Sequence, residues 1–383
     1  MPVFLALRRI GPYHHVRFQA LAQFLPLHVL ETRPQSQEYP WKFDPQGRYS
    51  IHRLSGHPDP ERDPPRDLLD RQLHALFNQL QPRIMISVGW ADCAYQRLLR
   101  LAHMRRIPAV IISDSREMDD SRHALKEGMK RQLLRGYSSA LVAGQESRSY
   151  LELLGFPAAA IFQPWDVVNN ARFAQSEQPS GKRDPHFLCV SRFVAKKNHA
   201  GLLQAYASYQ RQGGHWALRL IGAGPLEDSI RQQIARLPDP SRVQLHPFQQ
   251  LEDLVISYQQ ASAFILASSS DQWGLVVNEA IAAGLPCLVS RACGCAVDLI
   301  EPAVTGWTFN PSDPPALAAL LRRVEAQTPN ERAAIAAAAR KRLQAFSPDT
   351  FATGLLAAVE QALVQPRFSR CAALTAHMLS SRL

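Results

Sequence analysis

With 383 residues, 46% of them apolar and 20% charged, the chain is too long for a single hydrophobic core and too apolar to be disordered, so two domains of roughly 180 residues each are expected. Its net charge of +10 comes from 43 basic and 33 acidic residues, divided as 22 and 17 up to Asn170 and 21 and 16 after it. A nucleic-acid binder gathers such charge into a patch or tail; here it is spread over amphipathic segments, which argues against nucleic acid and leaves solvated helix faces or a surface drawn to anionic lipid or acidic substrates.

No run reaches the roughly 18 to 20 apolar residues of a membrane span, and MPVFLALRR carries its charge after a short apolar run, the reverse of a signal peptide. It reads as a first buried strand, VFLAL at 3–7, of a cytoplasmic protein. The strands expected next are HVL (28–30), YSIHRL (49–54), RIMISV (83–88), AVIIS (109–113) and SALVA (139–143), with helix-length stretches such as 92–105 and 123–135 between most of them. HPDPERDPPR at 57–66 is a Pro-rich excursion inside this domain. At 164–186 the pattern breaks into a polar, Pro-containing stretch that marks a linker. After it come HFLCVS (186–191), WALRLIG (216–222), VQLH (243–246), AFILAS (263–268) and PCLVS (286–290), again separated by helices. Beyond 313 the chain turns helical, and 366–383 forms a short basic amphipathic tail. This alternation predicts an α/β chain of two Rossmann-like parallel-sheet domains, 1–170 and 171–347. Ligands of such sheets bind beyond the carboxyl ends of the strands, so the cleft between two sheets is the natural site.

Six cysteines, at 93, 189, 287, 293, 295 and 371, are scattered and read as reduced core residues; Cys293-Gly-Cys295 lacks the second pair that a metal site needs. The stretch SRFVAKKNH puts Arg192 and Lys197 just beyond one strand and at the start of a helix, where cations converge on an anion together with backbone amides. SSSDQWG, 268–274, is a small-residue turn after another strand and leads into a helix that begins near Leu275. The amides of Trp273, Gly274 and Leu275 belong to that helix start and suit a diphosphate. Asp271 lies in this turn, next to Gln272, and Glu279 lies one helical turn after Leu275. Glu279 lies on a helix whose neighbours Val276, Val277, Ala280, Ile281 and Ala282 are apolar and needs partners there, either ribose hydroxyls or a nearby Arg. Asp271 either binds the hydroxyls of a sugar or caps the turn. IGAGPLE at 221–227 lacks the third glycine of a dinucleotide fingerprint, which disfavours a dehydrogenase. Gly222 and Gly224 instead make a tight turn lining a nucleoside pocket, with Phe248 available to stack on a base.

Residues 187–310 resemble the donor domain of the retaining, GT-B-fold glycosyltransferases of family 4. SRFVAKKN is similar to that family's G-R-x-x-x-x-K-N/G loop, GAGP to its glycine turn, Asp271-x7-Glu279 to its E-x7-E motif, and AIAAGLPCLVS to the segment that follows. The resemblance implies GT-B architecture, with the two domains facing a central cleft and closing on substrate, and with the tail 348–383 packing back on the first domain. It implies that Arg192 and Lys197 bind the donor diphosphate, that Glu279 holds the ribose, and that Asp271 with the amides of 273–275 holds the transferred sugar. On the acceptor side it points to the first strand-to-helix loop, with Gly11, Tyr13, His14, His15 and Arg17, and to Asp114 beyond a central strand, where a hydroxyl is oriented or deprotonated. His14 and His15 read equally as polar residues of a helix start. Three departures stand out: Asp271 for Glu, Ser191 for Gly, and CGCAVDL (293–299) for a Gly-Gly-x-x-Glu loop.

The implied activity is a metal-independent retaining transfer of a sugar from a UDP-, GDP- or ADP-sugar to a hydroxyl of a glycan or lipid-linked acceptor, with no cofactor. Fixed positive groups replace a divalent metal, and no Asp-x-Asp stands at a strand end. The expected setting is glycan, polysaccharide or glycolipid biosynthesis in the cytoplasm, with peripheral contact with an anionic membrane on its inner face. The alternatives are a catalytically silent nucleotide-sugar-binding protein, a sugar-nucleotide epimerase and a phosphorylase.

Overall fold

The computed structural model describes residues 1–34, 41–56, 59, 64–120, 123–174 and 185–381; most of the Pro-rich stretch 57–66 and positions 175–184 of the expected linker lie outside them. The chain forms two compact units, Met1–Val167 with Pro348–Leu383, and Val168–Ser347.

The first unit is built on a seven-stranded sheet of β1 (Val3–Leu7), β2 (Leu27–Glu31), β3 (Ser50–Arg53), β4 (Ile84–Val88), β5 (Ala109–Ser113), β6 (Ser139–Val142) and β7 (Ile161–Phe162), in the order β3-β2-β1-β4-β5-β6-β7. The second holds six strands, β8 (His186–Val190), β9 (Ala217–Ile221), β10 (Val243–His246), β11 (Ala263–Leu266), β12 (Cys287–Ser290) and β13 (Gly306–Phe309), in the order β10-β9-β8-β11-β12-β13. Among the described residues every strand pairing is parallel. Helices cover both faces of such sheets, which is why β1, β5, β6, β11 and β12 are buried at every residue and read as unbroken apolar runs. The edge strands β3 and β10 have no fully buried residue.

Both strand orders reverse direction once, between β1 and β4 and between β8 and β11. At such a switch the connections leave on opposite faces, and a crevice opens at the carboxyl ends of the two strands. The loops there are 8–11 and 89–92 in the first unit, and 191–198 and 267–274 in the second.

Two strands escape the sequence reading. β7 has only two residues, and β13 (GWTF) opens on a glycine and contains a threonine, so neither shows an apolar run. The stretch after Pro164 is not the exposed linker its polarity suggests. Trp165, Asp166 and Val167 are buried in the first unit, where Arg17 engages the Trp165 ring, the Asp166 carboxylate and the Val167 carbonyl, and Phe173 is buried in the second unit, edge-on to Tyr258.

The last two helices belong to the first unit. Pro348–Val364 buries Phe351, Leu355 and Val359, and its Ala358 carbonyl accepts the Ser139 hydroxyl of β6 at 2.5 Å. Arg370–Ser380 packs on the helix Cys93–Met104, whose Arg97 donates to the Ser380 carbonyl at 3.2 Å. Among the described residues no helix is long and apolar enough to cross a membrane.

Candidate functional site

In the second unit the β8/β11 switch brings two loops together through their backbones. Asn198, left-handed at φ 53°, caps the helix His199–Arg211 by accepting from Gly201 N, and its amide group donates to the carbonyls of Ala267 and Pro311 at 3.2 and 3.0 Å. Ser269 N donates to the Lys196 carbonyl at 2.8 Å. Lys197 is thereby carried to the turn after β11, where its ammonium pairs with the Asp271 carboxylate, each side chain only 12% exposed. The Ser268 hydroxyl donates to the same carboxylate oxygen at 3.3 Å.

That turn is fixed from below as well. Asp271 N donates to the Ala292 carbonyl, Gly294 N to the Asp271 carbonyl and Cys295 N to the Trp273 carbonyl, at 2.9 to 3.1 Å. The expected Cys293-Gly-Cys295 segment is therefore the floor of the turn. Both thiols are fully buried, and burial above all, then the neighbouring Cys293 and Asp271, pushes the Cys295 thiol well above its ordinary range. Gly274 sits at φ 101° as the N-cap of the helix Leu275–Ala282, and a Cβ there would stand 2.9 Å from Leu266 Cδ2. The same Cβ would lie 3.8 Å from Asp271 Oδ2, so the start of that helix adjoins the carboxylate that Lys197 pairs with.

The Trp273 side chain turns inward, donating from Nε1 to Asn278 Oδ1 at 2.9 Å and packing on Phe346, so only its backbone remains for a ligand. Glu279 is 1% exposed in the same helix. Gln272, Leu275 and Phe248 are half-buried.

Arg192 is half-buried on the loop that follows β8. This loop is clasped to the glycine turn: Ser191 N donates to the Ile221 carbonyl, Phe193 N to the Ala223 carbonyl and Leu226 N to the Phe193 carbonyl. Gly222 and Gly224 make the clasp feasible, since Cβ atoms there would lie 1.9 Å from the Ser191 carbonyl oxygen and 2.6 Å from that of Phe193. Their smallness serves this backbone-to-backbone approach.

Sequence reasoning passed over His199. It is 3% exposed, edge-on to the Phe193 ring, and its Nε2 lies 3.0 Å from the Ser191 hydroxyl. Burial first, and the Lys197 charge second, pull its pKa down to about 4. A histidine opening a helix after a capping Asn, directly beyond the basic loop, was the available signal. Because the folded pKa lies below the ordinary value of 6.5, the unfolded chain takes up the proton first as pH falls. The stability held by neutral His199 is therefore complete above pH 6.5 and declines as pH approaches 4, by up to about 2 kcal/mol at pH 5. The gap between urea midpoints at pH 7 and 5 should be smaller in His199→Asn than in the wild type, the remainder belonging to other buried histidines such as His14.

In the first unit Gly11 caps the helix Pro12–Leu21, so Tyr13, His14, His15 and Arg17 lie within it rather than in a loop. Gly11 N donates to His14 Nδ1 at 3.2 Å, and burial with the nearby Arg17 holds the His14 pKa down at about 3. His15 Nδ1 lies 2.9 Å from the Tyr49 hydroxyl. Arg17 is buried within the first unit: at 1% exposure it donates to Asp166 Oδ1 at 3.2 Å and to the Val167 carbonyl at 3.1 Å, with the Trp165 ring 4.3 Å away. Asp114 is half-buried beyond β5, close enough for its charge to favour protonated Arg17. Tyr13 and Asp114 thus share the Arg17 neighbourhood, whereas His15 turns toward Tyr49 and Phe43.

Residues 171–342, nearly the whole second unit, match the family described as glycosyl transferases group 1. The chain is 34% identical to the amylovoran biosynthesis glycosyltransferase AmsK of Erwinia amylovora over 143 residues, 36% of this chain and 35% of that protein. It is 22% identical to the lipopolysaccharide 1,6-galactosyltransferase of Escherichia coli over 272 residues, 66% of this chain and 69% of that one. The matches span between about a third and a half of the first curated relatives. In structure the chain is similar to Anabaena HepE in complex with UDP, with a TM-score of 0.75 and 16% identity over 94% of this chain and 100% of that one. At that identity the likeness establishes the fold: two parallel-sheet Rossmann-like domains of the GT-B glycosyltransferase type.

Proposed function

We propose that this chain is a retaining glycosyltransferase of family 4 that moves a sugar from a nucleotide-diphosphate sugar to the hydroxyl of a glycan or lipid-linked acceptor. One observation carries the reading: the Lys197 ammonium held on Asp271, whose carboxylate adjoins the start of the helix Leu275–Ala282, at the strand-order switch of the second sheet. A diphosphate placed there meets a fixed cation, free helix-start donors worth about 0.3 to 2 kcal/mol through the dipole, and Arg192 on the clasped loop. As the glycosidic bond breaks, negative charge grows on the leaving diphosphate. Groups that are already in place stabilise it without reorganising.

Asp271, released from Lys197 when phosphate arrives, turns to the sugar hydroxyls. Buried Glu279 holds the ribose, and Phe248 stacks on the base. This arrangement needs no divalent metal and no cofactor. Attack on the same face of the sugar, with the leaving phosphate taking the acceptor proton, gives retention; Asp114 orients the acceptor hydroxyl. The names of the relatives, one of amylovoran biosynthesis and one a lipopolysaccharide 1,6-galactosyltransferase, favour polysaccharide or glycolipid assembly, and the HepE complexes with UDP and UDP-glucose favour a UDP-sugar.

A thermal-shift panel of UDP-, GDP- and ADP-sugars tests the donor. One base class should raise the midpoint by several degrees at saturation, because it binds only the folded state; no shift with any of the three contradicts the reading. Interconversion of the free nucleotide sugar without acceptor would instead point to an epimerase.

An anionic membrane surface is the proposed location of the acceptor. The helix Arg370–Ser380 exposes Leu374 and Met378 at 62% and 57% beside Arg370, in a chain of net charge +10. Co-sedimentation with vesicles containing phosphatidylglycerol should exceed that with phosphatidylcholine alone, and Leu374→Asp should reduce it.

A further inference from the structure

Ser191 stands where the motif that its loop resembles has glycine, and the hydroxyl has a built-in neighbour. His199 Nε2 lies 3.0 Å from Ser191 Oγ. The ring is 3% exposed, and its other nitrogen, Nδ1, is buried with no hydrogen-bond partner among the described residues.

The ring is neutral, so one nitrogen carries the proton. With the proton on Nδ1, a buried N–H would be left without an acceptor, an arrangement that folded proteins almost never tolerate. With it on Nε2, only a lone pair is orphaned, and Nε2–H donates to Ser191 Oγ. The Ser191 oxygen then accepts from the imidazole, and its own proton must point elsewhere. Cys189 Sγ, at 3.9 Å, is a weak acceptor at the limit of reach. The rest of the residue is already committed: its amide goes to the Ile221 carbonyl, and its carbonyl lies against Gly222. Ser191 is half-buried, at the carboxyl end of β8, on the loop that carries Arg192 and Lys197.

We propose that Ser191 donates a hydrogen bond to a phosphoryl oxygen of the bound nucleoside diphosphate, and that His199 is the positioning residue that sets its hydroxyl. This rests on the donor reading above. It gives the loop a directional contact that glycine cannot supply and makes His199 act on the ligand through Ser191 alone.

The first test needs no ligand. Nitrogen-15 spectra of the full-length protein at pH 7, with the His199 signals assigned by their loss in His199→Phe, should show the Nε2–H tautomer; an Nδ1–H tautomer overturns the inference and leaves the donor reading intact. The second is calorimetric titration with UDP, GDP and ADP. For whichever binds the wild type tightest, Ser191→Ala should weaken binding roughly ten- to hundredfold, as expected for loss of a hydrogen bond to a charged group. Ser191→Thr, which keeps the hydroxyl, should restore most of it. His199→Phe should cost less than Ser191→Ala, and the double variant no more than Ser191→Ala alone. Equal affinity in Ser191→Ala, or additive losses in the double variant, defeats the proposal. Failure of all three nucleotides to bind the wild type defeats the donor reading and this contact with it.

Discussion

Lys197→Ala is expected to lower the rate of sugar transfer about 10²- to 10³-fold, the usual cost of removing one preorganised group from a developing oxyanion. A second effect accompanies the first. Lys197 and Asp271 are both 12% exposed, so removing the cation strands a nearly buried carboxylate, and stability should fall by about 1–3 kcal/mol. The two effects separate in the double variant Lys197→Ala/Asp271→Asn. Its urea midpoint should return toward that of the wild type, because the stranded charge is gone, while turnover stays low. Wild-type turnover in Lys197→Ala would remove the central cation from the mechanism, whatever the stability did.

Gly222→Ala should be the most damaging single-methyl change in the second unit, at about 2–4 kcal/mol with loss of nucleotide binding. A Cβ at this position would lie 1.9 Å from the Ser191 carbonyl oxygen and 3.0 Å from its carbonyl carbon, which are main-chain atoms that no rotamer change can withdraw. Relief requires the loop after β8 to move away from the turn after β9, and that loop carries Ser191 and Arg192. Gly128→Ala is the matched control. It lies inside the helix Ala124–Leu134 with nothing within 4 Å of the added carbon, so it should be neutral or stabilise by about 0.5–1 kcal/mol. Urea midpoints of the two variants measured side by side decide the point.

The sequence made the fold class readable because parallel strands covered on both faces leave a simple trace: short apolar runs at a steady interval, which located eleven of the thirteen strands among the described residues. The missing two, β7 and β13, are a two-residue strand and one broken by glycine and threonine, where no run exists to be seen. Motif spacing likewise put Arg192, Lys197, Asp271 and Gly274 on loops beyond β8 and β11. What neighbours in sequence could not decide was which side chain meets which across the fold. That Arg17 is buried on Asp166 and Trp165, 149 and 148 positions away, depends on the course the chain takes after β7. The inward turn of Trp273 follows from Asn278 and Phe346, and the neutral state of His199 from burial behind Phe193. Local periodicity records whether a residue faces a core, since burial of apolar area is nearly indifferent to the partner. Charge pairing and hydrogen bonding are directional and short-ranged, so only the packed structure could assign them.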